Sequence, residues 1–392
     1  MRCVIAGGGP AGAVLALLLA RAGVEVTLLE KHADFLRDFR GDTIHPSTLQ
    51  VLDELGLAEA FHRIPHRKAY EIDLVTDTGK TRISSLRDLP GPYNYIAFVP
   101  QWDFLTLITT EAAKYPNFRM LMNAEAIGLI REGGAVRGLR YRDAEGEHEL
   151  RAEVTIAADG RGSTLRAAAG LVPKELGAPM DVVWFRMPRE DGDPGETFLR
   201  VSAGHMMVAI NRETYWQLGY VIPKGGAERL RADGVGELRR QVGRLLPFLG
   251  DRTKAIAGFE DVSVLTVALN RLERWYRPGF LCIGDAAHAM SPVFGVGINL
   301  AVQDAVATAN ILLSEGPSAL PKVQRRRMFP TKATQLAQQV AQRRLVQPAL
   351  SGSARPTGLP DLAALPVVGR LVGRLLARFL GHGFRPEHVS AK

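Results

Sequence analysis

Arg2-Cys3-Val4-Ile5-Ala6-Gly7-Gly8-Gly9-Pro10-Ala11-Gly12 carries a short apolar strand straight into glycines spaced as G-x-G-x-x-G. An Ala/Leu-rich helix over Pro10–Ala22 follows and is ended by Gly23; Val24–Leu29 then forms a second strand closed by Glu30. Strand, helix and strand in so short a span make a βαβ unit, which predicts a Rossmann-type α/β domain. Each glycine has a separate duty. Gly7 permits the tight turn, Gly9 lets the backbone approach a pyrophosphate, and Gly12 lets helix and strand pack closely. The helix start at Pro10 and Ala11 offers unpaired N–H groups to phosphates. Glu30, followed by Lys31, is placed to accept hydrogen bonds from the ribose hydroxyls of an adenosine, and an acid there selects FAD or NAD over NADP.

Working outward, 392 residues and 42.7 kDa exceed what one core usually absorbs, so two closely packed domains are expected. At 46% hydrophobic and 23% charged residues, disordered and fibrous classes are excluded. Short strands alternate with turns from Ile72 to Pro100, Asp103–Lys114 has helical spacing, and Val154–Ala158 reads as a buried strand. Residues 171–275 have another texture: Val182–Met187, Thr197–Val201, Met206–Ile210 and Tyr215–Val221 alternate as antiparallel strands with one face packed and one open. Phe280–Ile283 returns to the buried-strand pattern and Gly297–Leu313 reads as a helix. A nucleotide-binding domain interrupted by a sheet domain follows: residues 1–70, 97–170 and 276–345 for the first, 71–96 and 171–275 for the second, and 346–392 as a basic C-terminal helical segment.

No run of eighteen uninterrupted apolar residues occurs and a strand follows Met1 directly, so a cytoplasmic protein without signal peptide is expected. Cys3 and Cys282 lie in separate apolar runs and read as packing residues; no metal site is expected. The net charge of +8 is concentrated at the end of the chain. Residues 322–392 hold thirteen Lys and Arg against Asp361 and Glu387, and the rest is slightly acidic. A nucleic-acid binder would carry its basic face on the folded domain, so no nucleic-acid partner is expected.

Two later segments separate FAD from NAD. Ala158-Asp159-Gly160-Arg161-Gly162-Ser163, with Arg166 beyond, ends a buried strand. Cys282-Ile283-Gly284-Asp285-Ala286-Ala287-His288 leads to Pro292-Val293-Phe294-Gly295-Val296-Gly297-Ile298-Asn299 and a helix. With these three motifs in order, the sequence resembles the class A flavoprotein monooxygenases, the para-hydroxybenzoate hydroxylase-like family, over about residues 1–345. The resemblance implies a glutathione-reductase-like FAD-binding domain with an inserted, mainly antiparallel substrate domain. It places Asp159 and Gly160 near the pyrophosphate, supported by Arg166, and Gly284 and Asp285 at the ribityl chain. Pro292, Gly295, Val296, Gly297, Ile298 and Asn299 would pass along the isoalloxazine ring, where a helix N-terminus stabilises negative charge on reduced flavin. Arg40 and Gln101 match positions that hold the FAD chain, with Arg37 a near competitor for the first. His45 is a candidate for the active-site side of the flavin, against turn or capping duty. His288 reads as packing.

A single G-x-G-x-x-G leaves NADPH or NADH to bind transiently. The resemblance implies an enzyme in which NAD(P)H reduces FAD, O2 adds at flavin C4a, and the hydroperoxide hydroxylates or epoxidises an electron-rich substrate. That substrate would sit under the open sheet face, with Val183, Phe185, Met207 and Gln217 as candidate lining. The absence of an obvious anionic anchor suggests a bulky aromatic such as a polyketide, quinolone or quinone precursor. Arg370, Arg374 and Arg378 share one face of a helix over 362–380, which suits either packing on the FAD domain or peripheral membrane contact. A flavin-dependent reductase of a lipophilic substrate and a non-turnover flavin- or ligand-binding protein are the alternatives. A halogenase would carry Trp-x-Trp-x-Ile-Pro, which is absent. A monomer or homodimer is expected.

Overall fold

The computed structural model describes residues 1–36, 43–352 and 366–390. Its first sheet runs in the order Tyr276–Arg277, Phe280–Cys282, Val154–Ala157, Arg2–Ala6, Glu25–Leu29, Phe118–Leu121. All neighbours are parallel except the Tyr276–Arg277 edge. Parallel strands are covered on both faces, which is why Arg2–Ala6 and Val154–Ala157 read as apolar runs without alternation. Helix Pro10–Arg21 packs against helices Gln101–Ala112 and Gly297–Glu315 on one side. The meander Glu125–Glu132, Ala135–Asp143 and Gly146–Arg151 packs near Val154–Ala157. The stretch Val293–Glu315 is long and apolar enough to cross a membrane, yet 78% of its most apolar window is buried, so its apolarity serves the core.

A second sheet has seven strands in the order Ser263–Leu265, Met180–Pro188, Tyr215–Pro223, His205–Asn211, Phe198–Ser202, Glu71–Thr76, Gly79–Ser85. Only Phe198–Ser202 and Glu71–Thr76 pair in parallel. One face of this sheet lines a cavity; the other is covered by helices Ala227–Asp233 and Val235–Leu245, which the reading of this stretch as mainly strands does not anticipate. Leu238, Val242 and Leu245 of the second helix are buried against Val183, Phe185 and Met207.

That covered side is held by a compact ion pair. Arg252 donates from Nη1 and Nη2 to the two oxygens of Asp193 at 2.7 and 2.6 Å, and Trp216 Nε1 donates to the same carboxylate at 2.8 Å. The Arg252 guanidinium holds the Asp193 carboxyl down at about 2. A carboxylate depressed on folding adds stability above its unfolded value near 4 and loses it as the pH falls toward 2. With Asp193 only 4% exposed, the contribution is about 2 kcal/mol. Denaturant unfolding of wild type and Asp193→Asn is therefore expected to differ most at pH 5–7 and to converge below pH 3; a gap that does not narrow in acid would refute the assignment.

Beyond the long helix Leu320–Ala341 come a π-helical turn, Gln342–Val346, and helix Pro366–His382. The latter packs on the strand Gly79–Ser85: Ala377 is buried with Leu86, Leu89 and Ile96, and Ser84 Oγ donates to the Gly373 carbonyl at 3.2 Å. Residues 362–365 of the expected helix lie outside the described residues. Cys3 and Cys282 are both buried, and burial pushes the Cys3 thiol up to about 12.

Candidate active site

One continuous cavity of about 1590 Å³ runs between the two sheets. Its inner end is built from the glycine-rich turn and the later motifs: Gly7, Gly9, Pro10, Ala11, Glu30, Lys31, Gln101, Asp159, Gly160, Asp285, Pro292, Gly295, Gly297 and Ile298 all line it. Two helices begin there. Pro10–Arg21 and Gly297–Glu315 have no side-chain cap at their N-termini, and their first backbone hydrogen bonds reach back from Ala13 to Gly9 and from Leu300 to Val296. The preceding N–H groups are thus left without intrahelical partners, which is the arrangement that receives anions.

These residues fit FAD. A Cβ on Gly9 would meet no atom within 4 Å, so the space beside that backbone is open to a pyrophosphate. Glu30, 2% exposed, is oriented by Gly8 N at 3.0 Å and His32 N at 3.1 Å. Asp159 accepts from Ser163 Oγ and, at 3.2 Å, from Leu165 N; it also starts helix Thr164–Ala168 while still facing the cavity. Arg161, to which the motif gave no role of its own, lines the cavity with Nε 3.9 Å from Asp285 and donates to the Thr266 carbonyl at 3.0 Å.

Other expected residues stand one layer back. A Cβ on Gly12 would lie 2.0 Å from the Gly7 carbonyl oxygen, so its role is the helix–strand contact. Arg166 is buried and donates to the Ala286 carbonyl at 3.1 Å and the Arg161 carbonyl at 2.7 Å, joining the second and third motifs. Gly284 packs on Ala11 and donates its N–H to Asp304 at 3.1 Å. Val296 is buried, and Asn299 accepts hydroxyl hydrogens from Ser47 at 2.8 Å and Thr48 at 2.6 Å. Arg40 and Arg37 lie outside the described residues.

His45 is corrected: it does not open on the cavity. It is fully buried, with Nδ1 2.7 Å from the Leu380 carbonyl and Nε2 3.1 Å from the Gly295 carbonyl. Burial lowers its pKa. A neutral ring carries one proton and donates to one of these carbonyls at a time. Its work is to tie the loop at 292–295 to the C-terminal helix. Thr43 Oγ donates to the same Gly295 carbonyl at 2.7 Å. Phe294 in this loop has φ of +73°, a left-handed conformation that costs a non-glycine residue roughly 1–3 kcal/mol and persists only where the surroundings impose it.

Three candidate substrate residues are also corrected. Val183, Phe185 and Met207 point away from the cavity into the core under helix Val235–Leu245. Their neighbours Val182, Trp184, Met206 and Val208 line the cavity instead, because successive strand residues face opposite sides. Gln217 does line it, its Oε1 accepting from Arg212 Nε at 2.9 Å. Trp184 spreads over Gly219, where a Cβ would come 2.8 Å from the indole ring.

A doubly wound dinucleotide crevice opening onto the apolar face of an inserted sheet defines a flavoprotein oxidoreductase. The chain matches the family described as "FAD binding domain" over residues 1–323 and belongs to it. It is 35% identical over 319 residues to "6-methylpretetramide 4-monooxygenase" of Streptomyces rimosus, covering 80% of this chain and 75% of that protein. Its fold superposes on p-nitrophenol 4-monooxygenase PnpA from Pseudomonas putida with a TM-score of 0.77 at 22% identity, covering 98% of each chain. Against PqsL, a probable FAD-dependent monooxygenase of Pseudomonas aeruginosa, the score is 0.75 at 22% identity, over 90% of this chain and 98% of that one. The chain is a class A flavoprotein monooxygenase. FAD, when bound, supplies hydride acceptance and dioxygen activation. The chain's own groups would do the rest: uncapped helix starts would face negative charge, the buried Glu30 and the partly exposed Asp159 and Asp285 would meet the polar chain of the cofactor, and the apolar wall would limit water at the reacting atoms.

Proposed function

We propose that the enzyme uses NADPH or NADH and O2 to hydroxylate or epoxidise a bulky, electron-rich aromatic held against the inserted sheet. The observation that carries this reading is the continuity of the cavity from Gly9 and Gly295 to Val182, Trp184, Met206 and Val208. Gln217 is a polar group in that apolar wall. A relative whose name gives 6-methylpretetramide as its substrate supports a small-molecule aromatic substrate. Gly7, Gly9, Pro10, Ala11, Glu30, Lys31, Gln101, Asp159, Gly160 and Asp285 would hold FAD, with Pro292, Gly295, Gly297 and Ile298 along its ring. Residues 1–70, 97–170 and 276–345 make the cofactor domain, and 71–96 with 171–275 the substrate domain. The reading also makes the protein a cytoplasmic monomer or homodimer, its C-terminal helical segment serving either to pack on the FAD domain or to meet a membrane peripherally.

Anaerobic stopped-flow reduction by NADPH and NADH, with a panel of phenols, quinolones and polyketide aromatics, tests it. One compound is expected to accelerate flavin bleaching by orders of magnitude and, in ¹⁸O2, to leave with a labelled oxygen. Acceleration with an unlabelled, reduced product would favour a flavin-dependent reductase instead. Tight binding with no acceleration by any compound would favour a non-turnover protein.

A further inference from the structure

Ten large hydrophobic side chains are exposed among the described residues, and seven of them lie on helix Leu320–Ala341, helix Pro366–His382 or the turn after it. Phe329, Leu336 and Val340 follow one another at helical spacing on the first helix, 60%, 61% and 52% exposed. Leu371 and Leu375 do so on the second, 58% and 60% exposed.

This apolar surface is the rim of the cavity. Leu336, Val340 and Arg344 of one side and Val372, Leu376 and Phe384 of the other are among the residues that line it. A ladder of rings runs inward from that rim. Phe329 and Phe384 have centroids 6.3 Å apart, Phe384 and Phe379 5.2 Å, and Phe379 and Phe294 5.4 Å. Phe294 is the strained residue of the loop at 292–295, so the exposed patch connects through packed aromatic rings to the wall of the cofactor crevice.

Charge decides what covers it. Arg325, Lys332 and Arg343 share the stripe of Phe329, Leu336 and Val340, and Arg374 and Arg378 share that of Leu371 and Leu375. Residues 320–352 and 366–382 contain no Asp or Glu. All five cations are exposed, and no acidic partner is found for them among the described residues. A second copy seated on this face by twofold symmetry would bring like-charged stripes together. An anionic lipid surface accepts both components, since apolar side chains enter the interface while Lys and Arg reach the headgroups.

We propose that this rim, formed by the exposed faces of helices Leu320–Ala341 and Pro366–His382, docks on an anionic bilayer with the cavity mouth toward the lipid. The assignment of the mouth as the route for a lipophilic aromatic rests on the proposed function; the docking itself does not.

Flotation of the FAD-loaded full-length enzyme tests this, with vesicles of phosphatidylcholine and phosphatidylglycerol in a two-to-one ratio against phosphatidylcholine alone. At low salt the wild type is expected to float with the anionic vesicles about tenfold more than with neutral ones. None of the residues replaced in Phe329→Glu/Leu375→Glu and Arg374→Glu/Arg378→Glu lines the cavity, and each double variant is expected to cut flotation about tenfold while remaining yellow and folded. Wild type that stays at the bottom with anionic vesicles overturns the proposal. So does equal flotation of both folded variants, or a wild-type dimer in sedimentation that Phe329→Glu/Leu375→Glu dissociates without changing flotation. Flotation needs no turnover, so its failure leaves the hydroxylase reading standing, and an inactive enzyme leaves the docking result readable.

Discussion

Replacing Gly7 with alanine is expected to abolish FAD retention and to destabilise even the apoprotein, whereas replacing Gly9 is expected to remove retention alone. Gly7 has φ of +103°, and a Cβ there would stand 2.3 Å from the Ala158 carbonyl oxygen and 2.8 Å from Asp159 N. Those are backbone atoms that cannot rotate aside. Ala158 N is bonded to the Ala6 carbonyl at 2.8 Å and Gly7 N to the Leu29 carbonyl at 2.8 Å, so relief requires three strands to separate. Left-handed strain and overpacking together cost roughly 2–5 kcal/mol. Gly9 differs in both respects: its φ of −72° and ψ of −178° suit any residue, and its Cβ would enter open space. Gly9→Ala apoprotein should stay within about 0.5 kcal/mol of wild type. What it should lose is the rise in melting temperature that added FAD produces, because that rise reports binding to the folded state. Thermal unfolding with and without FAD reads both effects. A Gly9→Ala protein stabilised by FAD as strongly as wild type would mean that the pyrophosphate does not pass over this residue.

The separate duties of these glycines are legible in the sequence alone, because strand, turn, helix and acid are neighbours along the chain. Local order also locates the buried strands at 154–158 and 280–283 and the helix starting at Gly297 to within a few residues. Sequence patterns mislead where distant segments decide the outcome. Alternation places Val183, Phe185 and Met207 together on one face, which is true, but it does not say which of the two faces is the packed one. Only helix Val235–Leu245 reveals which one is turned from the cavity. The spacing of Leu238, Val242 and Leu245 is the signal that betrays it. His45 resembles an active-site residue because it precedes a helix near the cofactor; its partners, Gly295 and Leu380, are 250 and 335 residues away. No local rule foretells a left-handed phenylalanine at 294, since that conformation is imposed by its surroundings.

The same distance hides the ion cluster behind the third motif, whose disruption is the other large effect expected. Arg327 is 1% exposed; its Nε donates to Asp304 Oδ1 at 3.0 Å and its Nη1 to Glu387 Oε1 at 3.2 Å. Asp304 spends its second oxygen on His288 Nε2 at 2.6 Å and Gly284 N at 3.1 Å. Burial alone would raise the Asp304 carboxyl, but His288 and Arg327 hold it below its ordinary value. Glu387 belongs to the C-terminal segment, which is further anchored by His388 on Glu54 at 2.6 Å. One arginine therefore joins the end of the chain to the turn that bears Asp285. Arg327→Met removes the cation and leaves two buried carboxylates undercompensated, a loss of about 3–5 kcal/mol. Arg326, still paired with Glu387 at 2.8 Å, restores part of the C-terminal attachment but cannot serve Asp304. The double variant Arg327→Met/Asp304→Asn should thus recover part of the loss, since the stranded charge is gone. Urea unfolding of the apoproteins gives the cycle, and FAD dissociation should quicken in Arg327→Met more than in Glu387→Gln, because only the former frees the Gly284 turn. Equal dissociation rates in those two variants would show that the cluster anchors the C-terminal segment without supporting the cofactor turn.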